Sequence, residues 1–393
     1  MAKCRELVAG DIPAIVKLAR ESGFPARSEA GWHWALFENP EQADLPVGYV
    51  AEQDDEIVAM LGTQARGFHF GARRIFAASG HTFISSKNGK GAGFALAKRA
   101  LNNTDFAAIY TLNNNEIAGR FHKKVGLKAW LGNRGRTRLE WPVKPVSMAL
   151  GTALSRLARD EKMYARLSES EKYSGSARAI SRLKHMPDHV VYLDPHIQAD
   201  ASRISAFDER LSRARPAAPV RSPEVFSYQH RDPDAPGRSA LLGLLDGDHI
   251  ECLMQVVITK PNAYEPAELY ISDLEVLPGR DGVRVIPPLI RAAKYIARQH
   301  GLARLRLPFA DRFEALCFNQ TGVRFYRQHK YDCAHGRFTK GVEQLEKHWV
   351  PTGFEGDYFF ALRVTPERRK ASRGESSQLA NTANGFIDRR SQA

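Results

Sequence analysis

The stretch that decides the fold reads Gly80-His81-Thr82-Phe83-Ile84-Ser85-Ser86-Lys87-Asn88-Gly89-Lys90-Gly91-Ala92-Gly93 and runs on into Phe94-Ala95-Leu96-Ala97-Lys98-Arg99-Ala100-Leu101. By residue type it is a strand, a glycine-rich turn and a helix. Glycines let a turn point its N–H groups inward, and the following helix adds its amide end and positive dipole. Such a turn suits phosphates, and Lys87 and Lys90 add charge. A plain tight turn has the same composition, so the surroundings must decide. No GxxxxGK[ST] string occurs. The GxGxG spacing is not that of a dinucleotide fold, and the next strand ends Thr111-Leu112-Asn113 with no carboxylate for a ribose.

Working outward, a short strand at 3–7 precedes a helix opened by Asp11-Ile12-Pro13-Ala14, with Asp11 as N-cap. Gly48–Glu52 and Ile57–Leu61 form a hairpin around Gln53-Asp54-Asp55, and Ala65–Phe70 and Ile75–Ala78 a second one through Gly71. After the central turn come a strand at Phe106–Leu112, a helix at Glu116–Lys124 and a strand ending Arg138-Leu139-Glu140-Trp141. This is an α/β (α+β) pattern. Residues 143–187 read as a partly helical linker, with Leu150, Leu154 and Leu157 at helical spacing.

The second half repeats the first. Asp55 and Ile57 return as Asp248 and Ile250, each 193 residues on, and Trp32-His33-Trp34 returns as Phe226-Ser227-Tyr228, 194 residues on. Phe121-His122 and Phe325-Tyr326 stand 204 apart, each near the end of an expected helix. A near-constant register points to two copies of one fold.

Asn88-Gly89-Lys90-Gly91-Ala92-Gly93 resembles the [QR]xxGx[GA] pyrophosphate loop of the GNAT acyltransferase superfamily. Asn113 to Leu127 and, in the second copy, Asn319 to Tyr331 resemble that family's late helix, and Ile271-Ser272-Asp273-Leu274-Glu275-Val276 its central strand. The chain thus resembles a tandem GNAT protein. The resemblance implies two domains, 1–142 and a degenerate 188–364, each a mixed, mainly antiparallel twisted sheet flanked by helices, with a basic disordered tail at 365–393.

It also implies an N-acyltransferase, moving an acetyl group from acetyl-CoA (or another acyl-CoA) to a small-molecule amine by direct attack. In the first copy the implied cofactor-binding residues are Phe83, Ile84, Ser85, Asn88, Gly89, Lys90, Gly91, Ala92, Gly93 and Asn114. His122 takes the place of the family's acidic tyrosine, and His81 is a candidate base. In the second copy Glu275 and Tyr326 form an alternative acid–base pair, but Asp281-Gly282-Val283-Arg284-Val285-Ile286 has lost two of the three loop glycines. The first loop departs from the family at Asn88, where Gln or Arg is usual, and at Ser85, where proline is usual. A tandem GNAT protein that binds CoA or a protein partner without turnover is the alternative.

Charge and composition narrow the remaining classes. The net charge is +13, of which the tail from Thr365 supplies six basic against three acidic residues. No block of five or six like charges occurs, so nucleic acid is not indicated as a partner. The four cysteines form no CxxC pair, and no metal-binding spacing is present among the histidines. No apolar run reaches the ~20 residues of a membrane span. These features suit a cytoplasmic protein without a metal, and the acyl-CoA is what the resemblance implies.

Overall fold

The computed structural model of the 393-residue chain describes residues 2–22, 27–87, 89, 91–157, 179–260, 265–309, 318–322 and 325–356. The expected tail at 365–393 and linker residues 158–178 lie outside the described residues.

The first half opens with β1 (Lys3–Glu6), α1 (Ile12–Glu21) and α2 (Glu29–Phe37). Asp11 stands at the N-cap of α1, but its carboxylate turns back to Val8 N at 2.9 Å and to Arg5 at 2.8 Å. Three long strands follow, β2 (Gly48–Gln53), β3 (Glu56–Phe70) and β4 (Arg73–Ser85). The two expected hairpins are therefore one continuous meander. Gly62 carries β3 through its middle, where an added Cβ would come within 2.2 Å of the His81 ring. Then come α3 (Ala92–Leu101), β5 (Ala108–Thr111), α4 (Glu116–Val125), β6 (Lys128–Ala129), β7 (Thr137–Pro142) and α5 (Pro145–Leu157).

The second half retraces this order with β8 (Val190–Leu193), α6 (Gln198–Ala214), β9 (Ala217–Pro219), α7 (Pro223–His230), β10 (Ser239–Asp246), β11 (His249–Thr259), β12 (Glu268–Val276), α8 (Gly282–Gln299) and β13 (Arg304–Pro308). It ends with β14 (Phe325–Gln328), β15 (His335–Phe338) and α9 (Glu343–His348).

Two mixed, mainly antiparallel sheets result, flanked by helices as expected. One has the order β1-β2-β3-β4-β5-β15-β6, with β9 also on β3; the other runs β14-β7-β13-β12-β11-β10-β8. β15 from the second half lies between β5 and β6 of the first, and β7 from the first half lies between β13 and β14 of the second. The second half thus lends β9 and β15 and the first half lends β7, so neither 1–142 nor 188–364 contains a whole sheet.

The exchange also resets the register of the repeat near its end. Gly126 closes α4 at φ +103, and Gly322 closes a short 3-10 turn (Asn319–Thr321) at φ +71, 196 residues later. Phe325-Tyr326 therefore lies beyond the helix, on β14 against β7, and does not match Phe121-His122 on α4. Pairing with β7 overrides the expected helix, and these aromatic residues suit a strand.

Apolar side chains of α1 and α2 pack on one face of the first sheet, while Ala92, Leu96 and Ala100 of α3 pack on the other. Against the second sheet α8 buries Leu289, Ile290, Ala293 and Ile296. The repeat is visible in the contact between the halves, because equivalent residues meet. Trp34 of α2 stacks on Tyr228 of α7 at 4.5 Å between ring centroids, and Trp34 Nε1 donates to Tyr228 O at 3.0 Å. Trp32 and Trp34 are buried core residues. Of the expected leucine stripe of the linker, Leu150 is the described member, and it does not face the core. Val146 and Leu150 of α5 are exposed, and the small Gly151 is the side turned inward.

Candidate functional site

β4 and β5 run parallel for only three residue pairs, Ala77 with Ala108, Ala78 with Ile109 and Ser79 with Tyr110. β5 ends at Thr111, whereas β4 continues to Ser85. Where they part, β4 carries a bulge: Met60 faces Ile84 and Gly62 faces His81, so Leu61 opposes both Thr82 and Phe83. Thr82 sits at φ +50, the backbone kink that a bulge requires. The two strands therefore open into a V that ends at the glycine-rich turn.

In that turn Ser86 N donates to Val58 O at 2.8 Å and Gly89 N to Ser86 O at 3.2 Å, tying the loop to β3. Gly89 is buried, and a Cβ there would lie 2.8 Å from Val58 O. Gly91 is the N-cap of α3 at φ +82, a conformation glycine adopts without penalty. Gly93 lies over the Phe83 ring, with 2.7 Å from a built Cβ to Cζ, so here the glycine serves helix-to-strand packing. Ser85 Oγ reaches Gly89 O at 3.2 Å, and Ile84 is buried toward α1 and α2. Asn88 and Lys90 lie outside the described residues.

Helix ends separate the two copies. Ser28 caps α2, Asn115 caps α4 and Asp281 caps α8, each with its side chain, whereas Gly91 leaves the start of α3 without a side-chain cap. At α8 the Asp281 carboxylate accepts from Val283 N at 2.9 Å, so a negative charge already occupies the amide end of the second copy. Arg284, which aligns with the first loop, binds Glu251 at 2.8 and 2.9 Å.

At the tip of β5 four polar side chains meet. Thr111 Oγ1 lies 3.3 Å from His122 Nδ1 and 2.9 Å from Asn114 Nδ2, which in turn lies 3.2 Å from His335 Nδ1. His122 comes from α4 and His335 from the exchanged strand β15. The two ring centroids are 5.6 Å apart, and both rings are buried. Burial, then the charge of His335, holds His122 down to about 4, and burial lowers His335 as well. Beside them Phe121 of α4 stacks on Phe83 of the bulge at 5.0 Å.

His81 is buried on the other side of the bulge, its Nδ1 2.9 Å from Thr82 Oγ1. Burial, then the charges of Arg27 and Arg66, lowers it to about 3. A base this weak is unprotonated but takes up little at neutral pH. Further toward the second half, the buried Arg221 Nε binds Asp273 at 2.7 Å, and its Nη2 contacts Glu355. Tyr110 OH donates to Glu355 O at 2.6 Å, linking β5 to this cluster. Burial raises Glu355 to about 7 despite Arg221.

The structure thus brings together Phe83, the described loop residues, Asn114 and His122. It does not bring together Glu275 and Tyr326. Glu275 on β12 binds Arg215 at 2.8 Å, while β14 stands at the edge of the sheet with β7 and β13 between. Thr111 and His335 were missed because they join the site only through β5's end and the strand exchange. No motif announces either, although the αL glycine after each late helix marks where the copies align.

No protein-family model matches the sequence, and no curated protein matches it. Solved structures match at the level of the fold. A probable N-acyltransferase from Enterococcus faecalis superposes with a TM-score of 0.52 at 10% identity, over 88% of this chain and 74% of that one. N-myristoyltransferase from Saccharomyces cerevisiae, solved with bound myristoyl-CoA and inhibitors, gives 0.51 at 11% identity, over 85% and 79%. The chain therefore has the tandem GNAT fold, the resemblance its loop and late helix carry.

Proposed function

We propose that the protein is an acyl-CoA-dependent N-acyltransferase, with acyl-CoA held in the first half and acetyl as the transferred group. One observation carries this reading: the V between β4 and β5 leads to a helix whose N-cap is Gly91, while the equivalent helix of the second half is capped by Asp281. The pantetheine arm would enter the V, and the pyrophosphate would meet the amides of Gly91 and Gly93, the Ala92 amide being donated to Gly89 O at 3.1 Å. The relatives in fold support the donor class, since the yeast enzyme was solved with an acyl-CoA.

The acceptor amine attacks the thioester carbonyl as the free base. A C–N bond forms, the C–S bond breaks, and the amine proton passes to solvent. His122, held neutral, stabilises the departing thiolate by donating a hydrogen bond, without acting as an acid. Binding of CoA without turnover is a second reading, favoured because both buried histidines are neutral near pH 7 and neither offers a proton of suitable pKa. Thiol release from acetyl-CoA and longer acyl-CoAs across a panel of amines decides. Release that depends on one acceptor class supports transfer; CoA binding with no release for any amine supports the second reading.

A further inference from the structure

We infer that His335, on the strand lent by the second half, is a positioning residue for His122: acting through Asn114 and Thr111, it fixes His122 with its proton on Nε2. The inference rests on the acyltransferase reading for the use made of His122, but the tautomer belongs to the free protein.

The contacts favour one direction at each link. The side-chain amide of Asn114 lies 3.4 Å from the Thr111 carbonyl oxygen, which can only accept. The group facing it is therefore the NH2, a donor. The same NH2 lies 3.2 Å from His335 Nδ1 and 2.9 Å from Thr111 Oγ1. His335 Nδ1 must accept, so its proton resides on Nε2. Thr111 Oγ1 accepts from Asn114, and of its described contacts His122 Nδ1, 3.3 Å away, is the acceptor within reach of its own hydrogen, which would otherwise be buried without a partner. His122 Nδ1 then accepts too, and Nε2 carries the N–H.

The surroundings make the choice binding. Both rings are neutral, so a tautomer exists to be selected. The backbone N–H of Asn114 donates to Cys333 O at 2.9 Å, which fastens the β5 tip to the approach of β15. Gly119 of α4 leaves the space: a Cβ there would stand 3.0 Å from His335 Cε1. Without a ring acceptor at 335, the Asn114 amide could turn over and reverse the chain of bonds. With it, His122 presents an N–H at the end of β5, where the strands part. A donor at that place lowers the cost of charge on a leaving sulfur while the ring itself stays neutral.

The test is nuclear magnetic resonance on the full-length protein labelled with 15N-histidine, using long-range 1H–15N correlations at pH 7.5. Signals are assigned by their loss in His122→Gln and His335→Gln. Both rings should be protonated on Nε2. In Asn114→Asp the ionised carboxylate only accepts, so both rings should switch to Nδ1–H. In Thr111→Val, His335 should keep Nε2–H while His122 loses its single tautomer. Unchanged melting curves qualify each variant, and Thr111→Val decides if Asn114→Asp does not fold. Nδ1 and Nε2 are told apart because the two nitrogens give distinct coupling patterns to the ring protons. His122 protonated on Nδ1 in the wild type, or unmoved in the folded variants, overturns the inference. The expected tautomers without thiol release for any amine would uphold it and count against acyl transfer alone.

Discussion

Replacing Gly91 with aspartate would put a carboxylate at the start of α3, where α8 already carries one. A Cβ at Gly91 meets nothing within 4 Å, so no steric clash enters. The φ of +82 costs a non-glycine residue about 1 kcal/mol, and Asp bears that conformation better than most. The left-handed backbone does not set the side chain for capping as the extended Asp281 does, so stability should fall by about 1 kcal/mol. Binding should change greatly. A carboxylate about 4 Å from one phosphate charge is repelled by about 1 kcal/mol in water and about 4 kcal/mol at an effective dielectric of 20. For a loop partly open to solvent, about 2–4 kcal/mol is expected, a loss of roughly 30- to 1,000-fold in CoA affinity. Gly91→Asn keeps the side-chain size without the charge and should lose about tenfold or less. Arg284→Ala, whose partner is Glu251, should leave affinity unchanged. Calorimetric titration of CoA at low and high salt reads all three, and the Gly91→Asp loss should shrink as salt rises. Wild-type affinity in Gly91→Asp, or loss in Arg284→Ala, would refute a pyrophosphate site at α3.

Two further outcomes follow from the fold. A fragment of residues 1–142 lacks β15 and so bares the edge of β5 at Ala108–Thr111; it should aggregate on size-exclusion chromatography, and a monomeric, CoA-binding fragment would contradict the exchange. Thermal stability should fall on acidification. His81, His122 and His230, lowered by burial to about 3, 4 and 4, contribute stability that is intact above the unfolded value of 6.5 and is lost as pH falls toward 4. Glu355, raised by burial to about 7, acts oppositely, its contribution being full below 4.5 and lost toward pH 7. Between pH 6.5 and 4.5 the histidines dominate, giving a loss of about 1–3 kcal/mol per pH unit; a melting temperature flat over that range would contradict the burial of neutral rings.

What could be read from the sequence was local. The turn from Ser85 to Gly93 announces itself because glycine, strand and helix signals are contiguous, and the hairpin repeat survives because Asp55 and Asp248 mark turns between apolar strands. Tyr326 misled because aromatic residues serve helix and strand alike, and the decision rested with β7, which is almost 190 residues away. Gly322 was the available signal, since a glycine followed by an apolar residue ends a helix as Gly126-Leu127 does. The linker misled for another reason. A leucine stripe states that a helix has an apolar face, not that anything covers it, and Leu150 is exposed.

The strand exchange explains why the chemistry of the first half cannot be read from the first half. Copies joined by side-chain packing alone could part, leaving each sheet whole. Here β15 supplies the hydrogen-bond partner of β5 along Ala108–Thr111, so β5, which forms one arm of the V, is paired on that side only when the second half is folded. The same strand delivers His335 to Asn114, and Glu355 meets Tyr110 on β5 from the same half. On the function proposed above, a copy whose helix is capped by Asp281 would serve through its strand and its polar groups rather than as a phosphate site. Change in the second half should therefore be tolerated at the start of α8 and poorly tolerated between Cys333 and Phe338, the reverse of what an independent second enzyme would show.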